Sequence, residues 1–182
     1  MIASQTVARR YAEALFVAAR GEDQVNAIER DLASLSALVE RTPQFLEALH
    51  NPLLPVERKQ AIIHRLLGEE VQPITLRMLN LLVEKRRSEV LPYLYSLYTE
   101  MANDYRGVAQ ASVVSAMPLT PEEEEALVSR LAAMTGKRIE LRTEVRPELI
   151  GGLRVTVGDT VIDGTVVGYL RQLRGRLKEA LL

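Results

Sequence analysis

The chain has 182 residues, a net charge of -1 and 47% apolar residues, with no Cys and no Trp. That length holds one domain or two small ones, and the missing Cys excludes a disulfide framework, a thiolate nucleophile, an iron-sulfur cluster and a cysteine-based zinc site. The balanced charge removes the bulk attraction to phosphates on which nonspecific nucleic-acid binders rely. No apolar run reaches the roughly 18 to 20 residues that cross a bilayer, and the first residues lack a secretory signal's apolar block, so the expectation is a soluble, cytosolic chain that can still dock on something membrane-embedded.

Helical spacing dominates the first hundred residues. Ser4 is placed to cap a first helix in which Val7, Tyr11, Ala14 and Ala18 form one apolar stripe and Ala8, Ala12, Leu15, Phe16 and Ala19 a second, with Gly21 as its end. The next helix carries Val25, Ile28, Leu32, Leu35, Leu38 and Val39 inward and stops near Thr42-Pro43. Phe45, Leu46 and Leu49 make a short third helix ending at Asn51-Pro52, and Leu54-Pro55 launches a fourth with Ile62, Ile63, Leu66 and Leu67 before Gly68. A fifth helix starts between Val71 and Pro73. It is apolar almost all round through Leu76, Met78, Leu79, Leu81, Leu82 and Val83 until it meets Lys85-Arg86-Arg87, so it is either central or covered by a partner. The sixth, from Ser88 to about Tyr105, sets Val90, Leu91, Leu94, Leu97, Tyr98 and Met101 at i, i+3, i+4 spacing. Short connections between six helices predict a bundle.

The pattern changes at Arg106-Gly107, where the Val-rich VAQASVVSA reads as a strand. Thr120-Pro121 then opens a helix through Glu122 to Glu125, Leu127, Leu131 and Met134 to Gly136, with Thr120 as cap. Residues 138–145 alternate Ile139, Leu141 and Val145 as a strand does, and LRVTVGDTVID reads as a hairpin turning at Gly158-Asp159. Gly164 leads into a last helix with Val166, Leu170, Leu173, Leu177 and Leu181 on one stripe and Arg171, Arg174, Arg176 and Lys178 elsewhere. The expected architecture is α+β but mainly α: a six-helix domain over 1–106 and a small α+β domain over 107–182.

Chemistry finds little purchase on this sequence. His50 and His64 stand 14 residues apart without metal-binding spacing and read as partly exposed helix residues. Gly151-Gly152 and Gly158 lack any phosphate-loop spacing and read as structural turn residues. Glu122 to Glu125 point around a helix axis instead of converging, and suit the dipole at its start. Lys85-Arg86-Arg87 fits a solvated last turn or an acidic partner. Of the aromatics only Tyr169 follows residue 106, so the second domain has no stacking platform for single strands. No catalytic residue, cofactor or metal is expected. What remains is a binding or structural protein whose first and fifth helices carry more apolar surface than one core requires, suited to helix-in-groove recognition.

Two segments, TVARRYAEALFVAA at 6–19 and NPLLPVERKQAII at 51–63, resemble the start of the delta subunit family of F-type ATP synthases. Two later ones, ASVVSAMPLTPEEEEAL and LRTEVRPELIGGLRVTVGDTVIDGTVVGYLRQL, resemble the same family's C-terminal signature, shared with the mitochondrial oligomycin-sensitivity-conferring protein. Arg146 departs from the family pattern, in which an acid commonly precedes the proline.

The resemblance implies a non-catalytic stator subunit, present once per complex, that joins the alpha/beta head to the peripheral stalk during proton-driven ATP synthesis. It would sit peripherally at the cytoplasmic face of the plasma or inner membrane, without inserting, and be a monomer when isolated. By position, Val7, Tyr11, Ala14, Ala18, Met78, Leu81, Leu82 and Lys85 would receive the N-terminal helix of an alpha subunit. Leu170, Arg171, Leu173, Arg174, Leu177 and Leu181 would meet the C-terminal end of stalk subunit b. The competing expectation, a generic helical adaptor or RNA-binding helical domain, predicts a basic face and steep salt dependence.

Overall fold

The computed structural model describes the backbone of residues 2–158 and 160–170, and the side chains of 5–158 and 160–170. The chain divides into two compact units, Met1–Asn103 and Asp104–Leu182.

The first unit is built from α1 (Ile2–Gly21), α2 (Val25–Arg41), α3 (Pro43–His50), α4 (Val56–Leu67), α5 (Pro73–Glu84) and α6 (Leu91–Arg106). Proline sets three of these boundaries: Pro43 and Pro73 open α3 and α5 at the position where a missing N–H costs nothing, and Pro55 precedes α4. Ser4 is not a cap, because the helix is already running from Ile2. Gly21 ends α1 as expected. Asp23 then takes the left-handed conformation at φ 53°, while Gln24 N–H donates to the Ala19 carbonyl at 2.9 Å. The sixth helix is also shorter than its spacing predicts, since Ser88–Val90 form a 3₁₀ turn before it.

One face of each helix supplies the core. Ala8, Ala12 and Ala19 of α1 have no exposed surface, so backbones approach closely there. Ile28, Leu32 and Leu35 of α2 meet Leu79, Leu82 and Val83 of α5 and Leu94 and Tyr98 of α6 in the same cluster. Phe16 stands edge-on to Tyr98 with ring centroids 5.8 Å apart. The Tyr98 hydroxyl donates to the Val25 carbonyl at 3.1 Å, which satisfies the buried polar tip.

The second unit is a four-stranded sheet in the order β2-β1-β3-β4, formed by β1 (Val108–Ser115), β2 (Arg138–Val145), β3 (Leu153–Val157) and β4 (Thr160–Asp163). The parallel pair β1 and β2 is joined through α7 (Pro121–Thr135), as a parallel pair requires a crossover. Both ends of α7 follow their sequence signals: Thr120 and Glu123 form a reciprocal capping box, and Gly136 closes the helix at φ 67°. Leu131 of α7 packs with Ala111, Val113, Ile139 and Val155 from one sheet face, while Met134, expected inward, is 67% exposed. Met134, three after Leu131 and seven after Leu127, keeps their spacing, but it stands in the last turn of α7, next to its end at Thr135, and is not among the residues packed on the sheet. Val145, at the end of an edge strand, is exposed as well.

Candidate functional site

On α1 the two apolar stripes separate cleanly. Ala8, Ala12, Leu15 and Ala19 go into the core, whereas Val7, Tyr11 and Ala18 are half-buried and Ala14 is exposed. The neighbouring α5 divides in the same manner, with a difference from the sequence expectation. Met78 and Leu82, at 8% and 0% exposure, belong to the core along with Leu79 and Val83. Positions 75, 78, 79, 82 and 83 form one i, i+3, i+4 stripe and leave Leu81 on the flank, 41% exposed. Lys85, the C-cap of α5, is exposed. The outward surface of these two helices is therefore Val7, Tyr11, Ala14, Ala18, Leu81 and Lys85, without Met78 and Leu82.

Two buried charges, neither singled out by the sequence reading, hold helix ends in this unit, at the start of α5 and the end of α3. Asp31 of α2 is 6% exposed, and its Oδ2 accepts from Gln72 N–H and Thr75 Oγ1, both at 2.7 Å. Gln72 caps α5 with no side-chain bond of its own, so α2 supplies the cap, and the carboxylate faces the positive end of the helix dipole. Lys59 of α4 is 8% exposed, and its Nζ donates at 2.6 Å to the Leu49 carbonyl in the last turn of α3, the dipole's negative end. A signal was present in each case. Asp31 stands three residues after Ile28 and four before Leu35, and Lys59 four before Ile63 and eight before Leu67. Both charges occupy positions on a buried stripe.

His50 ends α3 and is exposed; His64 on α4 is exposed with Nε2 3.2 Å from Asn80 Nδ2. Among the described residues no group of three His, Asp or Glu side chains is placed to hold a metal ion, and no helix is long and apolar enough to cross a membrane.

In the second unit, the residues after β4 are fixed by a polar network. Asp163 Oδ1 accepts from the Thr165 hydroxyl at 2.7 Å and from its N–H at 3.0 Å, and Oδ2 accepts from Arg154 Nη2 at 3.0 Å. Thr165, 1% exposed, in turn accepts from Gly168 N–H at 3.0 Å and so caps the helical backbone that begins at residue 166. These donors, the Thr165 hydroxyl foremost and Arg154 last, hold the Asp163 carboxyl down to about 2. Glycine is required on two sides of this joint: a Cβ at Gly152 (φ 81°) would collide with the Gly164 carbonyl, and one at Gly168 would lie 2.7 Å from Asp163 Oδ1. Gly151 packs against Val166, and Gly158, at φ 56°, lies in the β3–β4 turn, where Val157 pairs with Thr160.

Around this joint Val166, Tyr169 and Leu170 are exposed, as are Met117 and Ile150. Of the expected stalk contacts only Leu170 falls within the described residues; Arg171, Leu173, Arg174, Leu177 and Leu181 lie outside them. Arg146 pairs with Glu144, its Nε 2.7 Å from the carboxylate, and both are exposed. That bond lowers the Glu144 carboxyl and raises the Arg146 guanidinium.

Residues 7–177 match the family model described as "ATP synthase delta (OSCP) subunit". The chain is 34% identical over 177 residues to the ATP synthase subunit delta of Syntrophomonas wolfei, covering 97% of each. It is 39% identical over 178 residues to that of Symbiobacterium thermophilum, covering 97% of this chain and 95% of the relative. Among solved structures it is similar to a chain of the Toxoplasma gondii mitochondrial ATP synthase hexamer. That likeness has a TM-score of 0.67 and 25% identity, and covers 93% of this chain and 96% of the other.

Proposed function

The chain belongs to the ATP synthase delta (OSCP) subunit family, and from that membership we propose that it joins the catalytic head to the peripheral stalk as a non-catalytic stator subunit. Its α1–α5 surface receives the N-terminal helix of an alpha subunit, and residues 107–182 meet the C-terminal end of stalk subunit b. It does so peripherally, at the cytoplasmic face of the plasma membrane, as part of an assembly that makes ATP.

One observation supports the head-facing assignment above the others: α1 spends four small or apolar residues on the core and still leaves Val7, Tyr11, Ala14 and Ala18 half-buried or exposed, while the neighbouring α5 leaves Leu81 exposed. A free-standing bundle needs only one apolar stripe per helix. The outward stripe is small-residue-rich at its centre, which lets a partner helix approach closely, and Tyr11 offers an apolar ring with a hydroxyl at the rim. A joint under torque must dissociate slowly, and slow dissociation follows from packed apolar contacts more than from exposed charges.

The test is calorimetric titration of the full chain with a peptide of its own organism's alpha-subunit N-terminal segment, at low and at high salt. One-to-one binding with negative ΔCp and little salt dependence is expected. Binding that collapses at high salt would transfer the role to a charged face, and no binding at either salt would remove the alpha-helix assignment.

A further inference from the structure

A cavity of about 530 Å³ opens in the first unit between the end of α3, the start of α4 and the end of α5. It is distinct from the outward faces of Val7, Tyr11 and Leu81. Its walls include Leu53, Leu54 and Val56, and its polar lining is two cations, Lys59 and Arg86, with His50, Ser88 and a single carboxylate, Glu89.

Three features of this lining are unusual together. Lys59 carries a buried ammonium whose hydrogen-bond partner is a single neutral carbonyl, that of Leu49, although an ammonium has three donors. Arg86 sits at φ 54°, where Gly would be relaxed and a long side chain is not, and it makes no ion pair among the described residues. The one carboxylate in the lining, Glu89, has its Oε1 3.6 Å from Arg87 Nη1, and among the described residues it makes no ion pair with Lys59 or Arg86. The volume is that of a pocket for a small molecule.

We propose that this cavity is a binding site for a small organic anion, in which a carboxylate lies between Lys59 and Arg86 and an apolar chain lies along Leu53, Leu54 and Val56. The ammonium's spare donors and the guanidinium fork supply charge-assisted hydrogen bonds. The leucines, of which Leu53 is 88% exposed, gain apolar cover on binding. Arg86 holds its left-handed backbone because the side chain has work to do there; otherwise glycine would serve better as the residue closing α5.

Titration of the full chain with octanoate, followed by methyl NMR of Leu53, Leu54 and Val56, tests this. Octanol and inorganic phosphate serve as probes of the apolar and the charged half alone. Saturable octanoate shifts confined to these methyls are expected, with octanol and phosphate at least tenfold weaker. Arg86→Gly relieves the backbone, so it should raise Tm without ligand while weakening octanoate at least fivefold; Lys59→Gln should weaken it further. The proposal is overturned if octanoate gives no saturable shift, if octanol or phosphate binds as tightly, or if Arg86→Gly leaves the affinity unchanged.

Discussion

In the first unit, α1 and α5 carry outward apolar residues opposite faces committed to the core. In the second, exposed apolar residues are spread over turns, edge strands and helix ends around a thin sheet. α1 alone contributes Ala8, Ala12, Leu15 and Ala19 at 4% exposure or less, whereas α7 buries only Leu131. The outward surface of α1 and α5 is thus preorganised by burial, and its residues would lose little freedom if a partner docked there. The joint after β4 depends on Asp163, Thr165 and Arg154 instead, a polar network that solvent and pH can reach. Hydrogen exchange is the natural gauge: amides of α5 and α6 should be slowest, those of β4 among the fastest.

The comparison breaks most severely at Asp31. Asp31→Ala removes the acceptor of a buried donor, Thr75 Oγ1, and of a partly buried one, Gln72 N–H, and leaves the start of α5 uncapped. A loss of about 3 kcal/mol is expected from stranding them, measured by urea unfolding. Exchange should accelerate through α5 and leave β1 unchanged. Asp31→Asn keeps an acceptor oxygen and should recover roughly half of the loss. Equal losses for both variants would show that the charge, not the acceptor, is what α5 needs.

That position also marks where sequence reasoning ran out. Helix periodicity and proline punctuation placed α2 to α5 correctly, because apolar burial at 3.6-residue spacing and the missing N–H of proline act locally. The cap at Thr120 and the glycine at 136 were legible for the same reason. The α2-to-α5 cap was not. Asp31 and its partners are 41 and 44 residues apart, and nothing local tells a charge on a buried stripe from a charge that disrupts one. The α1 start misled for a related reason: Ser is permissive of a helix start without enforcing one, whereas Gly21 does end α1, with Asp23 taking the left-handed position two residues on. Likewise, counting apolar residues around α5 could not separate Leu82, in the core, from Leu81, on the flank; only the direction of the core decides that.

The next effects in size concern binding. Tyr11→Ala should weaken the alpha-peptide interaction by about 2 kcal/mol if the ring is a central anchor. It should also cost some stability, since the ring packs partly on the core. Leu81→Ala separates the two quantities better. With 41% of its surface exposed, Leu81 has apolar area left to bury, about 1 kcal/mol of affinity. A Leu81→Ala chain that binds as tightly as the parent would take α5 out of the surface.

A smaller effect follows from Asp163. Its carboxyl is held down to about 2, below its unfolded value, so the ionised form favours the folded joint. That contribution is complete above about pH 4 and is lost as pH falls through about 2. Amide shifts of Thr165 and Gly168 should titrate in this window, while Gln72 and Thr75 report whether the first unit responds at all. Asp163→Asn should abolish the Thr165 titration.

The smallest effect belongs to Arg146. Its bond to Glu144 is short, yet both side chains are 56% exposed and water screens them. Arg146→Ala should leave Tm unchanged within error and alter only the Glu144 titration, which returns upward once the guanidinium is gone. The substitution also asks whether this position faces the stalk. If Arg146→Glu weakens stalk binding while Arg146→Ala does not, the partner presents an acid there, and charge at this point sets partner choice. If neither variant changes binding, the pair is a solvated surface contact outside the stalk interface.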